Sequence, residues 1–374
     1  MVDLNKMQEK LHALFDAQLA ACECFGGTAA VIADGETVFN ESFGDERFTA
    51  HSLYRLASVT KIFTAAAVMQ LHEQGKINIY DPVSKYLPQY KQLTLGGITT
   101  DGRIYSTELP KREITLFDLL THTAGLGADE LGNREYTVMP TEVKTSLASV
   151  TDYYGAHFHL AFAPGSKAAY SGFAGYDVLA RIVELTSGMT FNDYLQKNLF
   201  APLCMTDTTF QPTDAQYARL VPMHQRLSGT DREVNFRGTI FRGMPRSYEA
   251  GGASLVSSMQ DTLIFCKMLL GGGEFSGVRV LTPESVRTMF APALDDTLDG
   301  LPRGENHGIG CFMITGQHRL PKGTVYSHGA YGTHILLRPS ENFAAVFLKN
   351  SFFDMSTTSH STVAFEDAVQ VRCP

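Results

Sequence analysis

The sequence predicts an α+β protein in which an antiparallel sheet, built from both ends of the chain, is covered by helices. Two observations carry this prediction. β-Prone runs with turn signals occur near the start and again near the end of the chain, and helical runs alternating with turn-rich loops fill the region between. We therefore expect a single domain over 1–374, with its α/β part at about 1–80 and 247–374 and an inserted helical region at about 81–246.

The first elements are a helix, a hairpin and a second helix. Apolar residues recur at helical spacing in the first 20 residues, which predicts an amphipathic helix. "GTAAVIADGETVFNESFG" contains two β-prone runs around Asp34-Gly35, and Asp-Gly is a strong hairpin signal. "ASVTKIFTAAAVMQ", from Ala57 to Gln70, then predicts a strongly apolar helix that ends near Gly75.

Glycines divide the rest of the chain. "EITLFDLLTHTAGLG" predicts a helix stopped by Gly125 or Gly127, and the stretch 171–200 predicts two helices split by Gly188. A further helix, "DTLIFCKMLLGGG", ends at a glycine run. Strands return in "KGTVYSHGAYGTHILLRPSENFAAVFLKNS", and a last helix is predicted over about 361–371.

Composition excludes several classes of protein. The 374 residues include 39 acidic and 31 basic side chains, a net charge of -8, which argues against a broad nucleic-acid surface. No apolar run approaches the length of about 18 residues that a membrane span needs, and the first helix lacks the apolar middle of a signal peptide. We expect a cytoplasmic protein that binds neither nucleic acid nor a membrane. Its oligomeric state is not readable from the sequence.

No motif predicts a cofactor or a metal. "LGGGEFSG" lacks the lysine of a phosphate-binding loop. His157 and His159 alternate without an acidic partner nearby, so they fit loop or strand residues better than metal ligands. The six cysteines are too isolated to form a zinc or disulfide framework.

Ser58 and Lys61 stand at the mouth of the apolar helix. At a helix start, a side chain three positions later lies on the same face, so Lys61 can reach the Ser58 oxygen. Burial among apolar groups would disfavour the charged lysine and make a neutral amine, a base for the serine, easier to reach. The Ser58 amide, at the positive end of the helix, can donate to a developing oxyanion. The alternative is a helix-capping serine beside a snorkelling lysine, and Ser-x-x-Lys alone does not decide between them.

Two later stretches contain further candidates. Tyr170 follows a Pro-Gly turn and precedes a helix, where it can face a cleft and relay a proton; a half-buried tyrosine with one hydrogen bond is the alternative. "VYSHGAYGTHILL" places His328 on a predicted strand among glycines, which let a ligand approach the backbone. Here the alternative is an ordinary turn between strands.

Together and in this order, these stretches resemble the serine β-lactamase and penicillin-binding-protein-like family. The nearest branch holds the class C β-lactamases, D-aminopeptidases and esterases. "ITLFDLLTHTAGL", "GGASLVSSMQDTLIFCKMLLGGG" and "HGAYGTHILLRPSENFAAVFLKN" also resemble this family, and the similarity covers roughly residues 20 to 350. The resemblance implies a β-lactamase/transpeptidase-like fold and a serine hydrolase that forms an acyl-enzyme.

The resemblance also implies a role for each matching position. Ser58 would be the acylated nucleophile, Lys61 would activate it, and Tyr170 would share the base role and protonate the leaving group. The family's Lys-Thr-Gly element, which is His-x-Gly in many esterase-like members, corresponds to His328, Gly329 and Ala330. The backbone N–H groups of Ser58 and Tyr331 would form the oxyanion hole.

Two positions depart from the family pattern. Gly172 replaces the asparagine of the Tyr-x-Asn element, whose amide binds the substrate's amide side chain, and this puts efficient β-lactam hydrolysis in doubt. His328 replaces the lysine, which weakens the permanent positive charge for a substrate carboxylate. We therefore expect an esterase, amidase or peptidase-like hydrolase that acts on a small molecule or short peptide. A true β-lactamase or penicillin-binding protein, and a non-catalytic binding or sensor module, are the alternatives.

One further histidine belongs to a family-typical helix end. His122 lies in "LLTHTAGL", and we interpret it as structural, through capping or packing.

Overall fold

The computed structural model describes residues 3–227, 230–234, 239–241, 244–352 and 355–371. Within these residues the α-helices are α1 (Leu4–Ala20), α2 (Thr60–Glu73), α3 (Leu116–Leu120), α4 (Asp129–Val138), α5 (Leu147–His157), α6 (Ala174–Ser187), α7 (Phe191–Leu195), α8 (Asp214–Ala218), α9 (Met259–Leu270), α10 (Pro283–Met289) and α11 (Met355–Ala368).

The strands fall at the two ends of the chain and in several small hairpins. They are β1 (Gly26–Ala33), β2 (Glu36–Gly44), β3 (Leu53–Arg55), β4 (Gly96–Ile98), β5 (Ile104–Ser106), β6 (Met223–Leu227), β7 (Thr230–Val234), β8 (Thr239–Phe241), β9 (Met244–Pro245), β10 (Val256–Ser258), β11 (Glu274–Phe275), β12 (Val278–Arg279), β13 (Glu305–His307), β14 (Phe312–Ile314), β15 (Val325–Gly329), β16 (Thr333–Arg338), β17 (Phe343–Leu348) and β18 (Ser351–Phe352).

The main sheet joins both ends of the chain. Its seven strands run in the order β13-β14-β15-β16-β17-β1-β2, and every neighbouring pair is antiparallel. Strand β17 joins the strands from the two ends of the chain, because Val346 pairs with Ala30 of β1 on one side and with Ile335 of β16 on the other. All six residues of β17 are buried, as expected for a central strand with both faces covered. The predicted α+β class, with an antiparallel sheet from both chain ends, is confirmed.

Helices cover the sheet on both faces. On one face, Met7 and Leu11 of α1 pack with Phe347 of the sheet and with Phe365 of α11. On the other face, α2 and α9 join a much larger core, in which the rings of Phe63 and Phe265 stack at 3.8 Å. Burying such side chains contributes roughly 1.5–3 kcal/mol each relative to exposure. The larger core therefore holds α2 rigidly beneath the sheet.

Local turn chemistry accounts for several predicted boundaries. The hairpin between β1 and β2 turns at Asp34 (φ 51°) and Gly35 (φ 83°), the left-handed pair that a tight hairpin needs. Gly188, with φ 72°, ends α6 as predicted. The helix expected to reach Gly125 is shorter: α3 ends at Leu120 because His122 adopts φ 58° and breaks the helical path. The last helix also begins and ends earlier than predicted, at Met355–Ala368.

Among the described residues, no helix combines the length and apolar character needed to cross a bilayer.

Candidate active site

The turn that presents Ser58 lies between β3 and α2. Ala57 has a left-handed backbone (φ 48°), a conformation that L-residues rarely adopt, and Ala57–Val59 forms a 3₁₀ turn. The Thr60 hydroxyl holds this turn by donating to Ala57 O (2.6 Å). In the range 52–71 every residue except Ser58 is buried. The fold therefore exposes one hydroxyl from an otherwise enclosed segment.

Lys61 is held directly beside this hydroxyl. Its side chain is 3% exposed, and Nζ donates to Gly172 O (2.9 Å), Gly252 O (2.8 Å) and Ser58 Oγ (3.3 Å). The ammonium of lysine has three N–H bonds, and each has an oxygen acceptor here. The sequence argument expected apolar surroundings for this amine. The structure differs, because two carbonyls from distant loops replace the water that burial removes.

Tyr170 lies over the lysine. Its side chain is 44% exposed, and Lys61 Nζ lies 4.9 Å from its ring centroid. On the other side, the His122 ring lies 4.7 Å away. Among the residues that the structure describes, none forms a hydrogen bond with the Tyr170 hydroxyl. The hydroxyl thus faces the cleft beside the cation, in a position where it can exchange a proton with a bound substrate.

The strand β15 brings His328 into the same cleft. His328 and Ser327 line one small cavity together with Ser58, Lys61 and Tyr170. His328 retains an exposed surface, while surrounding protein desolvates its ring. This desolvation, reinforced by the nearby His334 and Lys61, lowers the pKa of His328 to about 4. His328 is therefore neutral near pH 7, which agrees with the expected loss of a permanent positive charge at this position.

The end of β15 packs against the serine turn. A Cβ on Gly329 would lie 2.5 Å from Leu56 O and 3.0 Å from Ala57 Cβ. The Thr333 hydroxyl also donates to Leu56 O (2.7 Å), which ties β16 to the same turn. The connection of β15 to β16, which contains Ala330 and Tyr331, begins at this contact. The oxyanion hole formed by the amides of Ser58 and Tyr331 remains a prediction.

We predict that Gly329→Ala lowers kcat/KM strongly and lowers the free energy of unfolding only moderately. The added methyl must displace Leu56 O or the Thr333 hydroxyl, 2.2 Å away, and so shift the residues before Ser58. Overpacking costs about 1–3 kcal/mol, whereas a misplaced reacting group can lower the rate by about 100-fold. Urea unfolding and ester turnover measure the two effects.

Gly172→Ala is the control for the stability measurement. A Cβ there meets nothing within 4 Å, so its free energy of unfolding should stay close to wild type. Equal stability and activity of Gly329→Ala and wild type would contradict the prediction.

Two features of the site were not predicted from the sequence. His122, interpreted as structural, does accept a hydrogen bond at Nδ1 from the Ser171 amide (3.2 Å), but it also lines the serine cavity. Desolvation, with His307 and Lys61 nearby, lowers its pKa well below 6.5, so the ring is neutral. Phe312 forms another wall, 5.5 Å from the His328 ring centroid. The only available signal was the histidine followed by a glycine-rich turn in "LLTHTAGLG".

The described residues offer no candidate metal centre. No group of three or more His, Cys, Asp or Glu side chains that could hold a metal ion occurs among them.

A serine stands at the start of a buried helix, a lysine follows one turn later, and a sheet strand lies alongside. This arrangement defines a class, the serine hydrolases of the β-lactamase/transpeptidase fold. Comparison with known families agrees. The family model described as "Beta-lactamase" matches residues 11–368, and the chain therefore belongs to the β-lactamase family.

Of two relatives, one has an activity in its name. "Uncharacterized protein MT1414" of Mycobacterium tuberculosis is 31% identical over 333 residues, which cover 84% of this chain and 81% of the relative. A Salmonella typhimurium protein, named as a candidate D-alanyl-D-alanine carboxypeptidase, is 27% identical over 85% of this chain and 73% of its own length.

Among solved structures, "EstCE1, a hydrolase with promiscuous acyltransferase activity" has a TM-score of 0.79 at 20% identity and covers 98% of this chain and 99% of that chain. Simvastatin synthase (LovD) from Aspergillus terreus has a TM-score of 0.76 at 23% identity over 96% of both chains. At this identity, the structural matches establish the fold.

Proposed function

We propose that this protein is a serine hydrolase that cleaves an ester or amide through an acyl-enzyme. The observation that carries the proposal is the pairing of the exposed Ser58 hydroxyl with the Lys61 amine, 3.3 Å apart within a buried helix start. An ordinary capping serine with a snorkelling lysine does not fit, because Lys61 is buried and two carbonyls hold its amine in place. Such placement is typical of an activated nucleophile.

The mechanism follows from these positions. Ser58 Oγ attacks the carbonyl carbon while its proton passes to the Lys61–Tyr170 pair. Lys61 takes this proton in its neutral amine form and becomes the ammonium, and Tyr170, whose ring centroid lies 4.9 Å from Lys61 Nζ, relays a proton onward from it. Tyr170 then returns a proton to the leaving group, and the amides of Ser58 and Tyr331 stabilise the oxyanion. Water releases the acid in a second addition at the same carbon.

Two positions favour an esterase, amidase or peptidase-like activity over β-lactam hydrolysis. Gly172 offers no side-chain amide to a substrate, and the space where its Cβ would stand is open to 4 Å. His328 is neutral near pH 7, so it does not offer a fixed charge to a carboxylate. The expected substrate is a small molecule or short peptide without strict dependence on either group.

The relative from Salmonella typhimurium supports a second candidate, hydrolysis of a D-alanyl-D-alanine peptide. β-Lactam hydrolysis is a third, since the family match includes it by name. A binding or sensor module without turnover would account for the altered residues Gly172 and His328, but it leaves the Ser58–Lys61 pairing without a use.

The test is a substrate screen with an intact-mass readout. The protein is exposed to a fluorophosphonate, p-nitrophenyl esters, nitrocefin and D-alanyl-D-alanine peptides. We expect one fluorophosphonate per chain, located by peptide mapping at Ser58, together with ester turnover that exceeds nitrocefin turnover. Folded protein that neither labels nor turns over any substrate would overturn the proposal in favour of the binding module.

A further inference from the structure

A second cavity is lined by the residue that follows one of the carbonyls holding Lys61. Gly172 accepts the Lys61 hydrogen bond through its carbonyl, and the next residue, Phe173, lines this cavity. The cavity has a volume of about 450 Å³, which falls within the range of ordinary ligand sites. The space directly beside Ser58, by contrast, is about 10 Å³, which is room for a water-sized group. A substrate larger than the reacting carbonyl therefore needs space elsewhere.

Aromatic side chains form one part of the wall of the second cavity, and polar side chains, among them Lys144, form another part. Tyr154 and Tyr248 are buried there, and Tyr136 and Phe173 are half-buried. The rings of Tyr136 and Phe173 meet edge to face with centroids 5.5 Å apart. Rings that already pack in this way offer faces and edges to a further ring.

The hydroxyl groups of the three tyrosines are bound to protein. Those of Tyr154 (3.0 Å) and Tyr248 both donate to the buried carboxylate of Asp177. The Tyr136 oxygen accepts the Ala174 amide at 2.6 Å. These hydrogen bonds hold the rings in place, so that mainly their carbon surfaces are available to a ligand. The aromatic part of the wall is therefore preformed and suited to an apolar or aromatic group.

Gly172 leaves open space beside the lysine that contacts Ser58. A side chain at this position would point into space that is open to 4 Å, and the glycine is partly exposed. An acyl group that takes this path from Ser58 over Gly172 would meet Phe173 next, since Phe173 follows Gly172 directly in the chain and lines the cavity.

We propose that the second cavity is the acyl-binding site, and that the preferred substrates are esters or amides of acids with an aromatic or branched apolar body. This inference rests on the proposed function and adds its substrate class. Exposed polar residues at the rim, such as Thr137, keep the far end of the acyl group in contact with water.

The experiment compares p-nitrophenyl acetate with p-nitrophenyl 4-phenylbutyrate, which share a leaving group. For wild type we expect kcat/KM for the aryl ester to exceed that for acetate by about tenfold or more. In Thr137→Trp, the indole would fill the cavity from its rim and should remove most of this ratio. Gly172→Leu, which blocks the path, is a second variant and should act in the same direction.

Val138→Trp is the matched control. Val138 follows Thr137 on α4, is 49% exposed and does not line the cavity, so the aryl-to-acetyl ratio should stay within about twofold of wild type. Thermal unfolding checks that each variant is folded. A parallel series with acetyl fixed and the alcohol enlarged tests whether bulk is preferred on the leaving group instead.

The outcomes separate this inference from the proposed function. Two results would overturn the acyl site but not the proposed hydrolase. Both include fluorophosphonate labelling of Ser58, combined either with equal kcat/KM for the two acyl groups or with a preference only for a bulky alcohol. An aryl preference retained in folded Thr137→Trp and Gly172→Leu would also overturn it. Absence of both labelling and turnover would overturn the proposed function itself, and the acyl site with it.

Discussion

Ser58→Ala should abolish covalent labelling and lower ester turnover by about 10⁴-fold or more, because no other described residue presents a hydroxyl to Lys61 Nζ. The substitution removes one long hydrogen bond of 3.3 Å and leaves the two stronger carbonyl contacts of the lysine in place. The free energy of unfolding should therefore change by less than about 1 kcal/mol. Intact mass after fluorophosphonate treatment, steady-state kinetics and urea unfolding measure the three quantities.

Ser327→Ala is the matched control for this experiment. Ser327 is buried, lines the same cavity and is placed there by β15 rather than by α2. This variant should label like wild type, since among the described residues no hydrogen bond joins the Ser327 hydroxyl to a lysine, whereas Ser58 has one. Labelling that survives in Ser58→Ala and disappears in Ser327→Ala would reassign the nucleophile.

Lys61→Met should lower the acylation rate by about 10²–10⁴-fold, the range for loss of a positioned proton acceptor. Methionine keeps the length of the side chain but cannot accept a proton or donate to Ser58. The carbonyls of Gly172 and Gly252 lose their partner at the same time, and each buried carbonyl left unpaired costs about 1–3 kcal/mol. We therefore expect a folded but less stable protein with very slow labelling of Ser58.

Lys76→Met is the control for the loss of a lysine outside the site. Lys76 is exposed just beyond α2. Its replacement should change neither the labelling rate nor the stability beyond about 0.5 kcal/mol. If Lys61→Met labelled as fast as wild type while folded, Lys61 would not be needed as a base, and Tyr170 alone would remain as the candidate.

Local signals in the sequence predicted local structure well. Asp34-Gly35 predicted the first hairpin because few other residue pairs accept the left-handed backbone of that turn. The apolar run after Ser58 predicted a buried helix, and α2 is buried on all sides up to Leu71. The end of α3 was predicted too late, because a histidine in the left-handed conformation has no distinctive sequence signal.

In the candidate site, too, the contacts between residues close in the chain were predicted and those between distant residues were not. Ser58 and Lys61 are three positions apart, so helical geometry alone predicts their contact, and the structure brings Nζ and Oγ to 3.3 Å. Tyr170 and His328 gained their roles from the family resemblance, since nothing in their local sequence points to Ser58. The carbonyl of Gly252, which comes 191 positions after Lys61, was not predicted at all.

The sequence by itself determined the helix that carries the Ser-x-x-Lys element, because this depends on residues close together in the chain. It also determined the class of protein and the departures at Gly172 and His328, because several short stretches resemble one family together and in order. Only the tertiary structure decided the environment of the lysine, whose amine is held by two distant carbonyls, and the presence of a partly aromatic cavity lined by Phe173. The physical reason is that hydrogen bonds and cavities form between segments brought together by packing, and no local pattern of residues records which segments will meet.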